Sequence, residues 1–381
     1  MGRGKNLYIF SFNLFMRYFF QRILQFLIPP LIFILIIIIV QKNTYQISGG
    51  DLNRIGKISF SEEYKNFHKS NDKIYYSDLA DINLKDRPDI DILIFGDSFC
   101  RLGRNGLPNF LAKESKKTVV NTNFYMIQHP LDGVYQLLNG GFFDSTNVRF
   151  VLLQSVVRSW SKMLSLDENS TLKFDDLLRK KPYFPMSSYE SYEKINLKNK
   201  ELNIFNKYKV EFDNSIKYIL FNLLYYFDDN AFGLSPIHVF KLKQNLFSER
   251  NNTLLVYGED ITNMKNFNLN ISEQLNEKLN KLAKNLSKKN IKLVYVPTAN
   301  KYDIYYPYIY QNNKYRKSNF FELLKEQKKE YIYIDTDELL TNAVRSGEID
   351  LYLADDSHWS YKAAIIVSKN ILSKINLINE K

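Results

Sequence analysis

The stretch "DILIFGDSFCRLG", residues 91–103, is an apolar run that stops abruptly at Gly96-Asp97-Ser98. Serine is a weak nucleophile at its own pKa and needs a base within hydrogen-bond reach, itself oriented by a third group. The chain has four histidines, His68, His129, His238 and His358, so few residues can serve as that base. His358 sits in "LYLADDSHWSYKAA", 260 residues after Ser98, with Asp355 three residues and Asp356 two residues ahead of it. A short turn there would fold a carboxylate back onto the imidazole, fixing its tautomer and stabilising the imidazolium. Gly-Asp-Ser is common in turns and Asp-x-x-His in capped loops. Neither motif alone carries a catalytic reading; their joint placement does.

That placement depends on the elements around them. Five β-rich runs follow residue 88: "DILIFGDS" (91–98), "KTVVNTNF" (117–124), "VRFVLLQS" (148–155), "IKLVYVPT" (291–298) and "YIYIDTDE" (331–338). Between them lie segments with helical patterning, including one that opens near Ile271 with Ser272 as its expected cap, and a last helix from about Tyr361 to Lys374. Strands alternating with helices predict an α/β fold with a parallel sheet of about five strands. Such sheets bind ligands beyond the carboxyl ends of their strands, where both Ser98 and the His358 loop would lie. Ser360 is placed to cap the final helix. The interval 156–270 is too long for a simple crossover and reads as a large insertion or cap after the third strand.

Residues 23–40, "ILQFLIPPLIFILIIIIV", carry no charge, close to the roughly 20 apolar residues of a spanning helix. Arg3, Lys5, Arg17 and Arg22 precede the run without an acidic residue, which predicts a cytoplasmic N-terminus and an outer, periplasmic or extracellular main domain. "VQKNTYQ" lacks the small residues of a cleavage site, so the expectation is an uncleaved anchor. The chain then divides into a basic cytoplasmic segment (1–22), a transmembrane anchor (23–41), a stalk or linker (42–87) and a main domain (88–381). A net charge of +11, from 52 basic and 41 acidic side chains, suits an anionic membrane surface or an acidic polymer. The absence of an arginine-rich block argues against a nucleic-acid partner. The lone cysteine, Cys100, excludes an internal disulfide and any multi-cysteine metal site.

With "FGDSF" and "DDSHW" at the two ends of one α/β domain, the chain resembles the SGNH (GDSL-type) hydrolases and acyltransferases. The resemblance implies a flavodoxin-like three-layer sandwich over about residues 88–376. It implies Ser98 as nucleophile, His358 as base, Asp355 as its orienting partner, and no cofactor or metal. The tail "DDSHWS" and "VYVPTANKYDIYYP" look most like the membrane-associated branch of alginate-type O-acetylation proteins. By that likeness the partners are the membrane, an exported or cell-surface polysaccharide, and a multi-pass membrane acyltransferase supplying the acyl group. An esterase with the same triad, or a non-catalytic SGNH-fold subunit, are the alternatives. The family supplies oxyanion donors from a Gly after the second strand and an Asn after the third. Here those strands end in "NTNFYMIQHP" and "LLQSVVRSW". Asn123, Gln154 and Arg158 are the candidates to replace them, with Gln154 alternatively satisfied within the strand end and Arg158 alternatively holding an acidic sugar or forming a surface ion pair. A metal phosphoesterase built on Asp97, His129, Asp355 and His358 is a third reading. Asp97 is expected to pin the Ser98 turn, Cys100 to pack in the core, and Trp160 and Trp359 to pack or to stack on sugar.

Overall fold

In the computed structural model the described residues are 3–44, 50–55, 73–83, 87–122, 129–172, 212–248, 252–311 and 314–379. A long helix α1 (Arg3–Thr44) precedes an α/β domain. Six parallel strands make one sheet in the order β1-β3-β2-β4-β7-β8: β1 (Ser77–Asp78), β2 (Asp89–Phe95), β3 (Val119–Thr122), β4 (Asn147–Val156), β7 (Lys292–Thr298) and β8 (Ile332–Tyr333). Consecutive residues Ile92 to Phe95 of β2 are wholly buried. Side chains of a strand alternate between faces, so such a run means that both faces of the sheet are covered, as parallel sheets require. The helices of the domain are α2 (Leu107–Ser115), α3 (Pro130–Asn139), α4 (Trp160–Ser165), α6 (Glu259–Thr262), α7 (Leu269–Ser287), α8 (Lys301–Tyr305), α9 (Phe320–Lys325), α10 (Thr336–Arg345) and α11 (Tyr361–Asn379). Among them α3 lies against β2 and β4, α7 and α10 lie against β7, and α2 packs on α11.

Two elements differ from what the sequence predicts. The run 331–338 is a strand only at Ile332–Tyr333, because the Asp335 side chain accepts from the Glu338 N–H and starts α10 there. The α7 cap is Asn268, which accepts from the Ile271 N–H, while Ser272 is buried and accepts from Gln327. Among the described residues before β2, β1 joins the sheet edge beside β3, and Leu52 and Ile55 are buried in the core. Ser360 does cap α11, its hydroxyl accepting from the Lys362 N–H.

After β4 come α5 (Phe212–Leu224) and an antiparallel pair, β5 (Ile237–Lys241) with β6 (Thr253–Tyr257), outside the main sheet. Helix α1 holds the apolar span Met16–Ile39, 24 residues with mean hydropathy 2.5 and only 6% buried. That exposure separates it from a core helix, and its length suffices to cross a membrane. Pro29 and Pro30 lie within the continuous helix.

Candidate active site

Every strand of the sheet is parallel, so the carboxyl ends of β2, β4 and β7 share one edge. At the end of β2 the chain must turn sharply. Gly96 permits it: a Cβ there would collide with Cys100 Sγ and Cβ. Asp97 then ties the turn to the neighbouring strand. Its Oδ1 accepts from the Phe99 N–H at 3.0 Å and its Oδ2 from the Val156 N–H at 2.7 Å. Ser98 opens a 3-10 turn, Ser98–Cys100, closed by the Cys100 N–H to the Asp97 carbonyl and the Arg101 N–H to the Ser98 carbonyl, both 3.1 Å. The hydroxyl is thereby presented, half-buried, at the sheet edge.

The second half of the site is the loop Leu351–Ser360, pinned by a bridge between Tyr352 and Trp359. His358 Nε2 lies 2.6 Å from Ser98 Oγ, and His358 Nδ1 lies 2.5 Å from Asp356 Oδ1. The same Asp356 oxygen accepts from the His358 backbone N–H at 2.9 Å. This is the usual hydrogen bond of an aspartate to its own backbone two residues on. It explains why Asp356, and not Asp355, orients the imidazole. The two-residue spacing lets one carboxylate hold both the backbone and the ring. The Asp355 carbonyl accepts from the Leu52 N–H, and its carboxyl carbon lies against Gly50.

Electrostatics follow from this contact. Burial disfavours the His358 imidazolium, but the hydrogen bond and charge of Asp356 outweigh it and raise its pKa above the ordinary 6.5. Burial likewise opposes the Asp356 charge, and His358 outweighs it, holding that carboxyl below its ordinary value. The imidazole packs against the Phe99 ring at 4.6 Å, with Trp359 edge-on behind Phe99 at 5.3 Å.

Two positioning residues escaped the sequence reading. Lys301 is fully buried and its ammonium donates to the carbonyls of Leu353 (2.6 Å), Ala354 (3.1 Å) and Asp356 (3.0 Å). Burial lowers its pKa to about 8 against the opposing carboxylates, Asp356 first. Asp51, from the stretch after α1, accepts from the Ser357 N–H at 2.7 Å and the Ser357 hydroxyl at 2.6 Å. Its own N–H reaches Asp356 Oδ2 at 3.4 Å. Both partners are distant in sequence and carry no motif, so only the fold reveals them.

The oxyanion candidates fare differently. Gln154 is wholly buried and committed at both ends: Oε1 accepts from the Asp97 N–H at 3.0 Å, and Nε2 donates to Thr298 Oγ1 at 2.7 Å. It braces β2 against β7 and is no substrate ligand. Arg158 pairs with the buried Asp260 at 2.8 Å and lies over the Tyr257 ring. Burial opposes its charge, but Asp260 raises its pKa. Asn123 lies outside the described residues. His129 caps α3 by accepting from the Leu131 N–H at 3.3 Å, and burial lowers its pKa to about 4. With that nitrogen and both Asp97 oxygens engaged, these two do not join His358 in a ligand set. Asp51, Asp356 and His358 do bring ligand-type atoms within 4.8 Å of one another, but the bonds above already engage all three. Trp359 is buried, and Trp160 donates its indole N–H to the Asn263 carbonyl at 3.0 Å, so packing describes both.

The arrangement can therefore remove a proton from Ser98 through an imidazole fixed by Asp356 at the carboxyl edge of a parallel sheet. Compared with known proteins, the chain matches no family model, no curated protein and no solved structure.

Proposed function

We propose that the chain is an SGNH-type serine O-acyltransferase, held by α1 with its main domain outside the cell membrane. It would move an acyl group, acetyl by the resemblance, onto hydroxyls of a cell-envelope or exported polysaccharide. A multi-pass membrane acyltransferase would supply that group. The observation that carries the reading is the continuous chain Asp356–His358–Ser98, with contacts of 2.5 and 2.6 Å. In this reading the segment after β4, with α5 and the β5–β6 pair, is the insertion of an SGNH domain.

The chemistry runs in two displacements. Ser98 Oγ attacks the donor's carbonyl carbon as its proton passes to His358 Nε2. The tetrahedral oxyanion collapses, and the leaving group departs with that proton, leaving an ester on Ser98. A sugar hydroxyl then attacks the ester carbonyl, giving its proton to His358. Collapse returns the proton to Ser98 and releases the acylated sugar. The imidazolium is stabilised by Asp356 at both half-reactions. We assign the Ser98 N–H to the oxyanion, since its neighbours at Phe99 and Val156 are taken by Asp97.

Incubating the full chain with p-nitrophenyl acetate and a soluble oligosaccharide tests this. The expected result is an acetyl adduct on the peptide bearing Ser98 and an acetylated sugar product. Free acetate as the sole product, with oligosaccharide present, would instead mean an esterase with the same residues. A folded chain that forms neither adduct nor product would refute both.

A further inference from the structure

Helix α5 is apolar on two sides. Tyr218 and Phe221 point inward and are buried. Ile219, Leu220 and Leu223 fall on the opposite side, at helical spacing, and are exposed, as are Tyr226 (by 84%) and Phe227 just past the helix end. The turn beyond continues the patch with Phe232 (60% exposed) and Leu234. Phe232 is held outward in a left-handed conformation, φ 57°, a rare and unfavourable backbone state for a bulky residue. A water-facing helix should not carry a second apolar face of this size.

Its neighbour says what covers that face. Helix α5 packs against α1, and Ile37, near the outer end of the apolar span, is the buried residue of that span. Most of the rest of the span is exposed, as a lipid-facing helix must be. The acidic group next to the patch is paired: Asp229 accepts from Lys314 (3.2 Å) and Tyr315 (3.0 Å).

We infer that α5 and the turn through Leu234 form an interfacial element, lying in the headgroup and upper acyl region of the bilayer beside the outer end of α1. This rests on the reading of α1 as a spanning anchor. Aromatic and aliphatic side chains suit that depth, and such helices bury their apolar face about 5–10 Å into the boundary. The element is also wired to the chemistry. Asn222 Nδ2 donates to the Ile55 carbonyl at 3.2 Å, and residues 50–55 are the strap whose Asp51 and Leu52 hold the Asp355–Ser357 loop. From Thr44 to Gly50 the chain takes six Cα steps, at most about 20 Å. The Ser98 site is thus held at the membrane surface, close to where a membrane-delivered acyl group would arrive.

Depth-dependent quenching in brominated phosphatidylcholine vesicles tests this with the full chain. Tryptophan at position 227 (Phe227→Trp) or 232 (Phe232→Trp) should lose emission to bromines high on the acyl chain and little to bromines near the bilayer centre. Phe26→Trp, about 16 Å further along α1 from Ile37, should show the reverse order. Loss of quenching at both 227 and 232, with Phe26→Trp still quenched, overturns the interfacial element and leaves the anchor standing; a membrane protein or second copy would then cover the face. Loss of quenching at Phe26→Trp overturns the anchor, and the inference with it.

Discussion

Ser98→Ala is expected to lower turnover of an acetyl ester at least about 1,000-fold while leaving the fold in place. Removing the nucleophile of a serine–histidine pair costs up to about a million-fold where the pair acts as a unit. The residue left behind is whatever binding and the oxyanion donor supply without a covalent intermediate. Folding should survive because the turn is held by its neighbours. Asp97 carries the bonds to Phe99 and Val156, and Gln154 holds the Asp97 N–H. Steady-state turnover and a thermal melt on the same preparation check the two halves. A fall in turnover together with a collapsed melt would mean that the serine matters to the turn rather than to the chemistry.

The second large effect is at Asp356. Asp356→Asn is expected to lower kcat by about 1,000- to 10,000-fold, because an amide can donate to Nδ1 and so favour the wrong tautomer. The pH profile gives a readout that a merely structural role would not move. His358 must be neutral to accept the Ser98 proton, and its folded pKa is raised above 6.5, chiefly by Asp356 against the opposing effect of burial. The acid limb of kcat/KM should therefore lie above 6.5 in the parent chain and move to lower pH in Asp356→Asn. Asp355→Asn should leave the limb where it is. Stability runs the opposite way. A histidine whose folded pKa is raised stabilises the fold fully below its unfolded value and loses that contribution as pH rises through the folded value. Activity from this pair thus rises over the same pH window in which its stabilisation fades.

Much of this was legible in the chain. The β2, β4 and β7 strands are near-continuous apolar runs, which is how a strand buried on both faces reads. Their parallel order put Ser98 and the His358 loop at one edge. The choice between Asp355 and Asp356 was not legible, because it turns on whether the carboxylate folds back over two residues or three, a matter of backbone torsions within the loop. Gln154 shows the same limit from another side. A polar residue at a strand end near the site reads either as a ligand or as a side chain satisfied there, and only the partners Asp97 and Thr298 decide for the second. Lys301 and Asp51 were invisible, since a buried ammonium bound to three carbonyls and a carboxylate on Ser357 have no local pattern. The β1 strand is two residues long, below what periodicity can register.

Labelling by a fluorophosphonate probe, followed by peptide mapping, tests most directly whether Ser98 is a nucleophile activated by His358. The expected result is a single covalent adduct on the peptide bearing Ser98, slowed by Asp356→Asn and absent in Ser98→Ala. A folded parent chain that takes up no probe, or takes it up equally when Ser98 is alanine, would contradict the account and leave a non-catalytic domain in its place.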